Sequence, residues 1–230
     1  MSNMLHGSTF FCMAISLFGY EAGIFLRKKL KIGIFNPLLV SIVFVIIVLK
    51  VTGIDYDTYD KGANVLSYLL TPSTVCLAIP LYQQIELLKK NHKAVLFGIL
   101  SGVLTSLTTI MVLAIIFKLS HKEYVTLLPK SITTAIGMGV SEELGGYVTI
   151  TVAVIVITGV LGNILADGIC KIFKINHPIA KGIAIGTSSH AIGTAKAMEL
   201  GEVEGAMSSL SIAVSGILTV LGAIIFAHII

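Results

Sequence analysis

Between Ala94 and Lys118 the chain is almost continuously apolar. Runs of the same kind recur at Ser8 to Leu26, Ile34 to Val51, Tyr147 to Cys170 and Ser209 to Ile230. Each approaches or exceeds the roughly 20 apolar residues that a helix needs to cross a bilayer. Nothing else in the sequence restricts the fold as much. In hydrocarbon every backbone N–H and C=O has to be satisfied within the segment, so runs of this length are expected to be membrane-spanning helices.

Composition agrees. Of 230 residues 55% are hydrophobic and 12% are charged, with a mean hydropathy of +0.96. A soluble domain would carry about 25% charged residues. The formal net charge of +4 comes from short Lys and Arg clusters between apolar runs, which is how membrane loops look. No basic face is interleaved with aromatics, so a lipid bilayer is the expected partner and nucleic acid is not. Cys12, Cys76 and Cys170 form no CxxC pair and read as small buried hydrophobes. The opening MSNMLHGSTFF lacks a basic n-region and a small-residue cleavage site. The first apolar run is therefore expected to be a retained span rather than a removed signal peptide.

Three stretches have a different character: Asn64 to Leu88, Tyr124 to Gly145 and Ile179 to Leu200. Each is interrupted by small and hydroxyl residues, in LLTPSTVCLAIP (Leu69 to Pro80), LPKSITTAIGMG (Leu128 to Gly139) and GTSSHAIGT (Gly186 to Thr194). Pro72, Pro80 and Pro129 remove backbone donors and disfavour helix just before them. Gly186 and Gly193 are expected to loosen the third stretch. Backbone groups freed in this way cannot face lipid, so three breaks point to a buried or wet cavity.

A repeat is also present. SGVLTSL at Ser101 to Leu107 returns as SGILTVL at Ser215 to Leu221, 114 positions later (215 − 101). The same offset carries Ser73-Thr74 onto Thr187-Ser188. One domain over 1–230 is expected, built from halves at about 8–118 and 121–230. Basic loops (Arg27 to Lys31, Lys89 to Lys93, Lys171 to His177) and acidic ones (Asp55 to Asp60, Glu142-Glu143, Glu202 to Glu204) exchange places between the halves. With basic loops in the cytoplasm, the halves are expected to be oppositely oriented. The expected fold is thus an all-α polytopic membrane protein, an inverted-repeat, transporter-like bundle with broken or re-entrant helices. Inversion needs an odd number of crossings per half, and the polar stretch His121 to Gly145 is the one expected to be re-entrant.

A helix broken inside the membrane presents free N–H groups and a positive dipole end. Lys130 beside Pro129, and His190 and Lys196 in the third stretch, add positive charge. The combination suits a small carboxylate. Each residue also has a structural reading. The hydroxyls can bond back to the preceding turn, Lys130 can snorkel to the interface, and Lys196 can pair with Glu199 or Glu202. A buried His190 demands a partner. No nucleophile elbow, HExxH, P-loop or metal-spaced His and Cys cluster is present, so neither an enzyme nor a metal or other cofactor is expected.

Three segments, TPSTVCLAIPLYQQ (Thr71 to Gln84), LLPKSITTAIGMGVSEELGG (Leu127 to Gly146) and GTSSHAIGTAKAMELGEVEGAMSSL (Gly186 to Leu210), resemble in sequence and order the LrgB/CidB family. The resemblance implies a multi-pass protein of the bacterial cytoplasmic (inner) membrane. It implies one of two functions: antiholin-like or holin-like control of murein hydrolase export and cell lysis, or transport of pyruvate, glycolate and similar anions. A small LrgA/CidA-type membrane partner is implied, and a homo-oligomer is compatible with the glycines at Gly98, Gly102, Gly216 and Gly222. A holin needs no internal duplication and no midplane hydroxyls and cations, whereas a carrier needs both, so the carrier is the favoured expectation. The motif positions carried over as substrate-binding are Thr71, Ser73, Thr74, Lys130, Ser131, Thr133, Thr134, Thr187, Ser188, Ser189, His190, Thr194 and Lys196.

Overall fold

The computed structural model describes residues 8–30 and 35–230, except for the side chains of Leu70, Thr71 and Thr74. Among the described residues there are helices and no strands: α1 (Thr9–Leu30), α2 (Pro37–Thr52), α3 (Tyr56–Tyr68), α4 (Leu70–Cys76), α5 (Ala78–Gln83), α6 (Ile85–Phe117), α7 (His121–Leu127), α8 (Thr134–Glu143), α9 (Val148–Ile172), α10 (Pro178–Leu200) and α11 (Glu202–Ala227). Four of them, α1, α6, α9 and α11, are long and apolar enough to cross a bilayer. Large apolar side chains such as Phe97, Ile116, Ile157 and Ile217 stand exposed along them, as lipid contact requires and as soluble monomers avoid. The protein is an all-α polytopic membrane protein. It gathers into two compact units, one ending at Cys76 and the other spanning Leu77–Ile230.

In the first unit α1 packs on α2 and α3. Gly23 lets α1 approach the Pro37 backbone, where a methyl group would stand 2.6 Å from Pro37 Cα. Ser16 and Tyr59 hydroxyls bond at 2.7 Å between α1 and α3. Asn36 caps α2 by accepting from the Leu38 N–H, with Pro37 in the first turn, where its missing donor is harmless. Pro72 and Pro80 likewise fall in the first turns of α4 and α5. Each proline opens a short helix after the break it causes. Cys12 is buried but Cys76 is exposed, which corrects the expectation for that one residue.

In the second unit Val95, Ile99, Val103, Leu107, Ile110 and Ala114 form one stripe of α6. They join Ile179 and Ile183 of α10 and Ala206, Met207, Ala223 and Ala227 of α11 in a common core. At the start of α7, Ser120 and Glu123 form a capping box. The Ser120 backbone N–H and then its hydroxyl hold the Glu123 carboxyl below its ordinary range.

Helix α10 is a hairpin with its tip at His190. Lys181 and Leu200, near its two ends, line one cavity of 60 Å³, yet 19 residues of straight helix would hold them about 28 Å apart. A methyl group on Gly193 would meet Ile185 Cγ2 at 3.1 Å, and Ile185 clusters with Ala197. Both arms lie along α9, the first through Gly162 against Ser189 and the second through the Lys196–Asp167 ion pair. Helices α7 and α8 form a second hairpin, entered from the opposite end of α9. Thr126 and Ser141 both bond Thr151 near the start of α9, and Gly137 abuts Pro129 and Ile155. The stretch expected to be re-entrant has that shape, and so does the stretch expected to be a broken span.

Helices α6 and α11, which carry the SGxLTxL match, run in the same direction. Gly98 and Gly102 of α6 follow Ile183 and Thr187 of the first arm of α10, and Glu204 and Ser208 of α11 follow Gly182 and Gly186 of the same arm. The carboxy-terminal ends of α6 and α11 both meet α7, the latter through the Tyr124 hydroxyl on the Phe226 carbonyl at 3.0 Å. The 114-residue offset thus pairs parallel helices, although one begins at the basic Lys89 to Lys93 and the other at the acidic Glu202 to Glu204.

Candidate functional site

The break in α10 is built by α9. Ile155, Gly159, Gly162 and Asn163 share one face of α9, at helical spacings of four, three and one. Side chains at Gly159 and Gly162 would collide with His190 and Ser189, so the two glycines admit the tip. His190 is fully buried with φ 42° and ψ −142°, a backbone conformation that costs a non-glycine residue about 1–3 kcal/mol. Two hydrogen bonds hold it there. The imidazole Nε2 donates to the Ile155 carbonyl at 3.0 Å, and the Asn163 amide donates to the Ile192 carbonyl at 2.8 Å. A carbonyl only accepts, which assigns the proton to Nε2.

From this geometry His190→Gly should be more stable than His190→Ala by about 1–3 kcal/mol, because both lose the Ile155 bond but only alanine keeps the strain. In an ordinary helix the order is the reverse, by about 1 kcal/mol. Thermal unfolding of the two variants in detergent decides it: if alanine is the more stable, there is no sharp reversal at residue 190.

The opposing tip is the loop from Leu128 to Thr133. Lys130 Nζ donates to the Ser131 hydroxyl at 2.9 Å, and Ser131 meets Ser106 of α6 at 3.1 Å. Among the described residues no carboxylate lies within ion-pair distance of Lys130. Thr133 flanks α8 in extended conformation without a side-chain cap bond, and Gly137 supplies the first intrahelical N–H bond, to the Thr133 carbonyl. The N–H groups of Thr134, Ala135 and Ile136 at that end are therefore left to outside acceptors. Gly137 in the first turn of α8 abuts both Ile155, whose carbonyl holds His190, and Pro129, the neighbour of Lys130. The two hairpin tips thus meet α9 around the same residue, and the uncapped start of α8 lies beside them.

The structure brings Lys130, Ser131, Thr133, Thr134, Ser189 and His190 into this region. The remaining expected residues are engaged as follows. Thr187 and Ser188 bond back to the Ile183 and Ala184 carbonyls, both at 2.7 Å, and Ser188 also meets Ser189 at 3.0 Å. Thr194 ties the second arm to Ser208 of α11 at 2.7 Å and to the His190 carbonyl at 3.0 Å. Lys196 is bound by Asp167 at 3.0 Å and Glu199 at 3.2 Å. Ser73 lies in the other unit, exposed, and bonds back to Leu69; the side chains of Thr71 and Thr74 lie outside the described residues. Gly98, Gly102, Gly216 and Gly222 meet Ile183, Thr187, Ile136 and Leu107 of their own chain. Sequence reasoning missed Asn163 and Asp167. Both are polar residues four apart inside an apolar span, a signal by itself.

These features define a multi-pass, all-α membrane protein with two hairpin elements packed on one long helix. The chain belongs to the LrgB-like family, whose model matches residues 16–229. It is 38% identical over 224 residues to the antiholin-like protein LrgB of Bacillus subtilis strain 168, covering 97% of each chain. It is 37% identical over 212 residues to the proteins of the same name in Bacillus mycoides strain KBAB4 and Bacillus cereus strain B4264, covering 92% of each chain. No solved structure matches.

Proposed function

We propose that the protein is a carrier of small organic anions of the pyruvate or glycolate type, acting in the bacterial cytoplasmic membrane. The observation that carries this reading is the Lys130 ammonium at a hairpin tip, bonded to the Ser131 hydroxyl with no carboxylate of the described residues in ion-pair reach. An unpaired cation inside a membrane bundle is expensive, and a bound carboxylate would offset that cost. The α8 start and the Ser131, Thr133 and Thr134 hydroxyls would orient the anion, with Ser188 and Ser189 lining the opposite tip. Thr187, Thr194 and Lys196 would hold the α10 arms in place. Thr71, Ser73 and Thr74 belong to the other unit and are not needed for this reading. Hairpins entering from opposite ends of α9 suit alternating access, in which one tip withdraws at a time.

A second reading is favoured by the antiholin-like name of the relatives: a regulator of murein hydrolase export and lysis, which the family resemblance would pair with an LrgA/CidA-type partner or a homo-oligomer. Uptake of labelled pyruvate and, separately, glycolate into proteoliposomes separates the two. The carrier reading expects saturable uptake with a large trapped dye retained, with or without an LrgA-type partner. Escape of the dye, or no uptake under any pairing, supports the regulator instead.

A further inference from the structure

A groove of 480 Å³ runs between α6 and the first arm of α10. That volume lies within the range of about 300–1,000 Å³ usual for small-molecule sites. Asn91 and His177 stand at one end of it, beside the basic segments Lys89 to Lys93 and Lys171 to Lys181. Gly98, Ser101, Ala184 and Thr187 line its inner part. The small side chains leave the space open, and the hydroxyls occur at helical spacing along both walls. One turn beyond Ser101 and Gly102 comes Ser106, which bonds Ser131 at the Lys130 tip. One turn beyond Thr187 comes His190. The groove therefore starts at a basic surface and ends about one helical turn short of Ser106 and His190.

The geometry points to this groove as the aqueous route by which a small carboxylate reaches the site from the side of the basic loops. The inference rests on the carrier reading and adds to it a path and a direction of entry. Four features agree with one role. The mouth is cationic, which concentrates anions and speeds their arrival. The walls carry no carboxylate, and the Ser101 and Thr187 hydroxyls, which donate to the Gly98 and Ile183 carbonyls, leave oxygen lone pairs to hold water. The volume admits a three-carbon acid with part of its hydration. The inner end lies a turn from Ser106, which bonds Ser131 beside the Lys130 ammonium.

Thiol accessibility tests it. Ala184→Cys and Ser101→Cys are made in a background with Cys12, Cys76 and Cys170 replaced, alongside Ile217→Cys and Leu161→Cys as lipid-facing controls. Proteoliposomes of known orientation are treated with a membrane-impermeant anionic thiosulfonate. Labelling at Ala184 and Ser101 from the basic-loop side is expected to be at least about tenfold faster than at the controls, because only the thiolate reacts and a thiol in hydrocarbon stays protonated. Labelling from the opposite side should be no faster than at the controls. Added pyruvate should slow labelling at Ala184→Cys, and Ala184→Phe should lower pyruvate uptake from the basic-loop side.

Control-level labelling at both positions overturns the route, whatever the uptake result, since the groove would then be dry or covered. Equal labelling from both sides overturns the direction of entry. Fast labelling from the basic-loop side in a protein that moves no carboxylate leaves the groove aqueous and locates the failure in the carrier reading alone.

Discussion

Lys130→Ala should abolish most carboxylate uptake. Removing one partner of a buried, hydrogen-bonded charge pair costs about 2–5 kcal/mol, and each 1.4 kcal/mol is about a factor of ten. Uptake efficiency is therefore expected to fall by about 1.5 to 3.5 orders of magnitude at substrate concentrations below saturation. Protein yield and melting should change little, because the bonds lost are those to substrate and to the Ser131 hydroxyl. Lys196→Ala should behave differently. Its ammonium already has Asp167 and Glu199 as partners, so the change loosens the second arm of α10 and should be partly rescued by Asp167→Asn, which removes the orphaned charge. Equal losses in the two lysine variants, with no rescue, would argue against Lys130 as the anion's partner.

The second large effect concerns the close approach of α10 and α11. A methyl group on Gly182 would stand 2.5 Å from the Glu204 carbonyl oxygen, and one on Gly186 would stand 2.5 Å from that of Ser208 and 2.8 Å from Ser208 Cα. Those neighbours are backbone and cannot rotate away, so the helices have to separate. Each glycine-to-alanine change should cost about 1–3 kcal/mol, as overpacking does. The double variant should fail to hold the hairpin against the buried Ser208, Ser211 and Ser215 of α11. Gly168→Ala is the matched comparison, since nothing lies within 4 Å of its added methyl. It should be neutral or stabilising by up to about 1 kcal/mol, the helix preference of alanine over glycine. Melting in detergent ranks the three; Gly186→Ala ranking with Gly168→Ala would contradict the packing.

Much of this arrangement was legible in the residues. Long apolar runs specify helices because the bilayer leaves no other way to satisfy the backbone. The hydroxyl-rich segments were correctly read as interruptions, because prolines and clustered small polar residues have no reason to lie in a plain span. What could not be read was where α10 turns. Gly186 and Gly193 looked like the flexible points, yet both are helical and serve close packing, against Ser208 on one side and against Ile185 and Ser189 on the other. The reversal falls on His190, a residue with no local preference for it. The cause is distant in sequence: the Ile155 carbonyl, the Asn163 amide and the space left by Gly159 and Gly162. Tertiary contacts chose the turn. The relative direction of α6 and α11 was hidden as well, since a basic segment begins one and an acidic segment begins the other although both run the same way.

The central claim, that this is a carrier with a saturable anion site between two hairpin tips, is tested most directly by counterflow. Proteoliposomes are preloaded with unlabelled pyruvate and diluted into a trace of labelled pyruvate, without any ion gradient. A carrier exchanges one for the other, so the label should rise transiently above its equilibrium level, and Lys130→Ala should remove that overshoot. Label that only climbs to equilibrium, at a rate proportional to concentration and unchanged in Lys130→Ala, would mean a passive pore and would contradict the account.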